Sequence, residues 1–470
     1  MQIQFFGAAQ EVTGSCFLLT VNHQQILVDC GLIQGSYKDE ARNFDPFPFD
    51  PKALDAVILT HAHLDHSGRI PLLIKRGYTG KIYTQHATVD ICEVMFKDAA
   101  YINERDAEYQ QKRRRKKKQH SENNTQMTPL YTTADAEAAM DTFSGVSYND
   151  TVEVLPGVKA CFRDAGHILG SAIVEVWLTD LERNDTRKIV FSGDLGHAGA
   201  PILRDPTFVE EADWVVMEST YGDRNHRDWE PTWQELGQVI TDARKEKGNI
   251  LIPSFALGRT QELLYTLKQH YEEWGLDQWQ IFLDSPMAIR MTDIYSKHPR
   301  LFDKEATKTV ETGNGDSLFD MPNLTFTQDT QDSIAINQIK SGAIIIAASG
   351  MCNGGRIKHH LKNNIHRDGC HVIFVGFQAR GTKGRTLVDG AKEIRLWGET
   401  LPVKAKLHTI GGLSAHADQD RLVGWFKHFN TNPNLFLVHG EPETQETLAA
   451  RIRQETPASV EIPKPGHRLL

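Results

Sequence analysis

The stretch HAHLDH, His61 to His66, sets three histidines and an aspartate within six positions. Imidazole and carboxylate donors together suit zinc-type cations that keep positions open for water. Four such groups this close cannot share one helical face, so a loop has to fan them out. A loop at a strand end can aim His61 and His63 at one point and Asp65 with His66 at another, about 3.5–4 Å away, the separation of paired catalytic metals. A dinuclear site needs more donors, and they recur downstream. His167 in DAGHILGS and Asp194 in FSGDLG each follow an apolar run and sit among glycines, which let the backbone approach a metal centre closely. Asp194 has two carboxylate oxygens and is the natural bridge. Asp29 in ILVDCG is suited to orient a ligating histidine from behind.

The elements that must position these groups are legible in outline. ALDAVIL, Ala53 to Leu59, is apolar enough to be a buried strand, so the cluster falls at a strand end, where α/β folds keep their chemistry. Short strands are predicted at MQIQFFGA, SCFLLTVN, QQILVDCG, AVILTHAH and KIYTQH, followed by a helix from Thr88 to about Tyr109. Strand signals resume at TVEVLPGVKACFRDAG, SAIVEVWL and RKIVFSGDLG. From DWVVMESTYG onward, strand, small polar turn and amphipathic helix alternate, as in a parallel sheet. Near Lys404 the chain returns to short strands with histidines at their ends, LHTIGGLSAHAD and NLFLVHGE. The pattern predicts a first domain over 1–207, an insertion over 208–403 and a completing segment over 404–470.

Composition narrows the class. With 470 residues, 40% hydrophobic and 24% charged, the chain has the make-up of a soluble globular protein. No apolar run approaches the roughly 20 residues that span a bilayer, and MQIQFFGAAQEVTG lacks a charged-then-apolar leader, so a cytoplasmic protein without a membrane partner is expected. The six cysteines include no C-x-x-C pair, which speaks against a thiolate zinc site and for buried free thiols. A net charge of −9 argues against a generally basic polyanion binder, although Lys112 to Lys118 are seven consecutive Arg/Lys residues. Such a run is a solvated surface segment or a contact for a polyanion; in the second case its replacement by Ser/Gly lowers both polyanion affinity and its salt dependence. SFALGR and ASGMCNGG follow strands and precede helices, where free N–H groups attract phosphate, but neither is a P-loop. Ser254, Arg259 and Ser349 are therefore candidate substrate contacts. QARGTKGRTL adds Arg380, Lys383 and Arg385.

Asp29, HAHLDH, His167 and Asp194, in that order, resemble the motifs of the metallo-β-lactamase superfamily. Glu218 in VVMESTYGDR, His416 in GGLSAHAD and His439 in FLVHGE match the extra motifs of the β-CASP nucleases. With SFALGRTQELL, ASGMCNGGR and VGFQARGTKGRTLVDG the resemblance spans essentially the whole chain. It is closest in pattern to bacterial and archaeal ribonucleases similar to the endonuclease subunit of the cleavage and polyadenylation specificity factor. The resemblance implies an αββα metallo-β-lactamase sandwich with an inserted parallel-sheet α/β β-CASP domain. It implies two zinc ions, one held by His61, His63, His167 and Asp194, the other by Asp65, His66, Asp194 and His439. Glu218 and His416 would form a hydrogen-bonded pair beside them. The implied activity is hydrolysis of single-stranded RNA, internally or from the 5′ end, leaving 5′-phosphate and 3′-hydroxyl, with Asp65, Glu218 and His416 as catalytic residues. Homodimers are common in the family. DNA-directed members carry an apolar residue where this chain has His439, and catalytically silent RNA-binding relatives lose metal ligands that this chain keeps. Small-molecule hydrolases of the superfamily lack the insertion and any counterpart of Glu218 or His416. No KH-like segment precedes the first strand and no long tail follows PKPGHRLL, so sequence selectivity is expected from the cleft or from other proteins.

Overall fold

The computed structural model of the chain describes residues 1–116, 128–312 and 317–469, and the side chains of the basic run Arg113 to Lys118 lie outside the described residues. The chain divides into two compact units, one made of 1–198, 205–225 and 416–470, the other of 199–204 and 226–415.

The first unit contains two seven-stranded sheets. One runs in the order Arg468–Leu469, Gln2–Gly7, Cys16–Val21, Gln24–Val28, Ala56–Ile58, Lys81–Gln85 and Phe143–Val146. The other runs Val460–Glu461, Asn434–Val438, Trp214–Glu218, Asp185–Phe191, Ala172–Asp180, Val158–Asp164 and Thr151–Leu155. Alternation along the strands gives each sheet an apolar inner face. Ile3, Phe5, Phe17, Leu19, Ile26 and Val28 of the first pack with Phe162, Val174, Val176, Ile189 and Phe191 of the second in one buried cluster. The outer face of the second sheet, through Val190, Val215, Met217, Leu435 and Leu437, buries the apolar sides of helices Gln419–Phe426 and Pro442–Glu455. On the first sheet the 31-residue helix His86–Lys116 lies against strands Lys81–Gln85 and Phe143–Val146. This is the expected αββα sandwich.

The second unit is built on a six-stranded sheet in which every pairing is parallel, in the order Leu324–Phe326, Gln280–Leu283, Ala343–Ala347, Ile250–Pro253, His371–Phe374 and Lys406–Thr409. Its central strands are buried throughout, as strands covered on both faces must be. Helices Arg259–Gln269, Pro286–Lys297 and Ile357–Asn364 alternate with them. The second of these starts at Pro286 with the Ser285 hydroxyl capping the amide of Ala288.

Apart from 199–204, which falls with the second unit, the division comes later in the sequence than 207/208 and 403/404. Strand Trp214–Glu218 pairs in parallel with both Asp185–Phe191 and Asn434–Val438, so it belongs to the first unit. Strand Lys406–Thr409 pairs with His371–Phe374 and so belongs to the second. Both strands have the short apolar pattern of either domain, and only their neighbours decide between them.

Candidate metal centre

The register Val28↔Ile58 brings two strand ends together at one edge of the first sheet. Asp29 leaves its strand with φ +58°, a left-handed conformation that aspartate tolerates, and its amide donates to the Ile58 carbonyl. Its carboxylate accepts from the Thr60 amide and hydroxyl, both at 2.8 Å, and lies 2.7 Å from Nδ1 of His66. The cluster itself is half loop and half helix. His61 and His63 precede the single helical turn Leu64–Ser67, which carries Asp65 and His66. Gly31 permits the close approach of the Asp29 loop to this turn, because a Cβ there would stand 1.6 Å from the Asp65 carbonyl oxygen. Gly196 does the same between the Asp194 and His167 loops, where a Cβ would meet the Gly166 carbonyl at 1.9 Å.

Around Asp194 the donors sort by oxygen. Its Oδ2 lies 3.5 Å from Nε2 of His61 and 3.5 Å from Nε2 of His167, while Nδ1 of His63 is 3.0 Å from the His167 nitrogen. Its Oδ1 lies 3.3 Å from Nε2 of His66 and 3.7 Å from Nε2 of His439, which is in turn 3.4 Å from Asp65. Three overlapping ligand-type groups result: His61, His63, His167 and Asp194 on one side, Asp65, His66 and His439 on the other, and Asp194, Glu218 and His439. His61 Nε2 and Asp194 Oδ1 are buried without a hydrogen-bond partner among the described residues. Polar atoms in that position cost stability unless a ligand completes them, so the residues present fit a cationic metal. The far nitrogens of the rings are occupied. His61 Nδ1 is 3.1 Å from the Thr60 hydroxyl and His439 Nδ1 is 2.9 Å from the Thr220 hydroxyl, which leaves Nε2 for the centre. Thr60 and Thr220 were not singled out from sequence, although each stands beside a motif residue, Thr60 before His61 and Thr220 two places after Glu218. His439 holds φ +53°, a strained value for histidine of the kind that concentrates at functional sites.

Burial dominates the protonation of His61 and His63, lowering them to about 3 and about 4, and it lowers His167 as well. These three imidazoles are neutral, the form that binds metal. At His66 burial acts in the same direction, but Asp194 and Asp29 outweigh it and raise the ring above its ordinary value.

The register Glu218↔Val438 sets Glu218 beside His439. Glu218 is buried; its carboxylate accepts the Leu195 amide at 2.6 Å and lies 3.1 Å from Nδ1 of His416. Burial pulls the His416 ring down, yet Glu218, Asp194 and Asp65 together push it up to about 9. The side chains of His416 and Asp65 stay 21% and 19% exposed, whereas His66, His439 and Asp194 are all but closed off.

The six substrate candidates lie in the second unit. The Ser254 hydroxyl lies 3.0 Å from that of Thr260, and that of Ser349 accepts the Gly354 amide at 3.3 Å. Arg259 is buried in an ion pair with Glu262 of its own helix, so its guanidinium serves the fold; Arg380 is exposed. All six cysteines are buried free thiols, and among the described residues no helix is long and apolar enough to cross a membrane.

A two-sheet sandwich with histidines and aspartates gathered at its strand ends defines a metallohydrolase of the metallo-β-lactamase type. Residues 9–110 match the metallo-beta-lactamase superfamily, 260–387 the Beta-Casp domain, and 400–463 the Zn-dependent metallo-hydrolase RNA specificity domain. The chain is 38% identical to Ribonuclease TTHA0252 of Thermus thermophilus over 94% of both chains. It is 29% identical to Transcription termination factor FttA of Methanocaldococcus jannaschii, covering 97% of this chain and 69% of that one. A crystal structure of a protein of unknown function from Enterococcus faecalis V583 shares the fold, with TM-score 0.55 at 13% identity over 100% of this chain and 99% of that one. The chain therefore belongs to the β-CASP family of the metallo-β-lactamase superfamily and is a metal-dependent nuclease.

Proposed function

We propose that the chain is a zinc-dependent ribonuclease that hydrolyses phosphodiester bonds of single-stranded RNA with two metal ions, leaving 5′-phosphate and 3′-hydroxyl ends. The observation that carries the reading is the division of the Asp194 carboxylate, with one oxygen toward His61 and His167 and the other toward His66 and His439. His61, His63, His167 and Asp194 would hold one zinc, and Asp65, His66, His439 and the same Asp194 the other. Bound there, the pair would supply Lewis acidity, making water nucleophilic near neutral pH and offsetting the charge of the phosphate.

The chain's own groups account for the rest. Asp65, partly open beside His439, would help hold the attacking water. Asp29, Thr60 and Thr220 fix the rings that face the centre. Glu218 holds His416 protonated and oriented, and His416 is suited to give its Nε2 proton to the departing 3′ oxygen. The selection of RNA rests on relatives, namely the ribonuclease from Thermus and the match to an RNA specificity domain. A cytoplasmic location follows as part of the same reading.

The test is incubation of zinc-loaded protein with single-stranded RNA labelled at either end and carrying 5′-mono- or triphosphate, beside Asp65→Ala and a matched DNA. Metal-dependent cleavage of RNA that Asp65→Ala lacks is expected, and the product ladder separates internal from 5′-end cutting. Intact RNA from protein holding two zinc ions would overturn the proposal, and cleavage of the DNA alone would replace it with a DNA nuclease.

A further inference from the structure

Three neighbouring strands of the second unit, Ala343–Ala347, Ile250–Pro253 and His371–Phe374, run parallel and end at one edge of the sheet. The turns that leave them carry Gly350, Phe255 and the dipeptide Gly376–Phe377. Carboxyl ends of parallel strands are where open α/β sheets bind ligands. Here they expose two aromatic rings, Phe255 at 43% and Phe377 at 59%, directly after strands that are wholly buried.

The rings stand on a rigid base. A Cβ at Gly350 would come within 3.0 Å of the Phe255 ring and one at Gly376 within 3.9 Å, so this ring rests against bare backbone. Gln378 is buried, and its amide donates to the Gly350 and Gly376 carbonyls at 3.0 and 3.1 Å, tying the two turns together. The Phe255 carbonyl accepts from the Thr260 hydroxyl at 2.6 Å. Phe208 and Trp397, also exposed, are covered by neighbours, Phe208 by His428 and Trp397 by His359 and Lys358. Phe255 and Phe377 have no aromatic or cationic partner among the described residues. Three residues beyond Phe377, Arg380 is exposed. Exposed rings on a preorganised backbone with a cation nearby are what sequence-tolerant recognition of single-stranded nucleic acid requires, since every base offers a π face.

We infer that Phe255 and Phe377 form a stacking platform for bases of single-stranded RNA, with Arg380 serving the phosphate chain between them. The inference deepens the proposed ribonuclease reading and rests on it.

Phe255→Leu and Phe377→Leu keep apolar bulk and remove the ring, and Phe255→Tyr and Phe377→Tyr keep it. The probes are a short single-stranded oligoadenylate with phosphorothioate linkages and the same chain with abasic sites in place of the bases, followed by fluorescence anisotropy. Cleavage of ordinary RNA supplies KM and kcat. Each Leu variant is expected to bind the base-bearing probe about tenfold more weakly and to change KM more than kcat. The abasic probe should bind wild type and Leu variants alike, and the Tyr variants should restore affinity. Equal binding of the base-bearing probe by Leu variants and wild type would overturn the platform, as would an equal loss on both probes. If wild type binds and cuts RNA while the Leu variants match it, the platform alone falls; if wild type neither binds nor cuts RNA, the ribonuclease reading falls first.

Discussion

His61, His63 and His167 sit low in the imidazole range while His66 and His416 sit high, although all five share one cluster. Burial lowers every one of them, so the difference comes from carboxylates. His66 is held between Asp29 and Asp194, and His416 stands on Glu218. These two rings therefore answer to substitution of their acidic partners. Asp29→Asn should leave the chain folded but weaken metal retention by about 10- to 100-fold, read by competition with a chelator, because the amide no longer orients the His66 ring. Unaltered retention would show that the Asp29 contact is incidental. His416→Ala should keep the full metal content by elemental analysis and lose about 10²- to 10⁴-fold in turnover, the usual contribution of a positioned acid. A variant that loses a metal ion instead would make His416 a ligand.

At the level of elements, both units use the same device, a strand end fixed by a buried carboxylate. In the first it is Asp29, bridging two strands to the metal-binding loop. In the second it is Asp284, fully buried after strand Gln280–Leu283, which accepts from Thr327, Ser333, Arg356 and His360 at 2.9, 2.7, 2.7 and 2.6 Å. Burial by itself would raise this carboxyl, but the donors of His360, Ser333 and Arg356 prevail and hold it at about 2, below its ordinary 3.8. A carboxyl with a depressed folded value adds stability that is complete above its unfolded value and is lost as pH falls through the folded one. Between about pH 4 and pH 2 the network should therefore give up on the order of 2 kcal/mol. Urea unfolding at the two pH values should show that loss in wild type and a smaller one in Asp284→Asn. Identical pH dependence in the two proteins would mean that Asp284 carries no linked proton. The Arg356 guanidinium also holds the carbonyls of Thr327 and Gln328, so the same network anchors the helix that follows ASGMCNGG.

For the whole molecule, the proposed metal centre should act as a stability element as well as a reactive one. Asp194, His61 and His66 are buried to 2% exposure or less, with His61 Nε2 and Asp194 Oδ1 lacking partners of their own among the described residues. Stripping the metal with a chelator should lower the melting temperature by several degrees and added zinc should restore it, since a ligand bound at about 100 times its Kd stabilises the folded state by roughly 2.7 kcal/mol. An unchanged melting temperature in protein shown to be metal-free would contradict this. The sequence by itself determined the candidate ligand types and their order, the two-domain alternation and the family, because these are written in local patterns: six positions of HAHLDH, apolar runs ending in His or Asp, and period-two strands followed by helices. The resemblance implied that Glu218 pairs with His416 and that Asp65 and His439 share a site; the tertiary structure brings these pairs together across 198 and 374 residues, and only it decided that Glu218 stands beside His439. It also decided that Thr60 and Thr220 orient the rings and that Arg259 is spent on Glu262. These pairings depend on the lateral order and register of strands far apart in the chain, and a local pattern of apolar and polar residues carries no record of which strand will lie next to which.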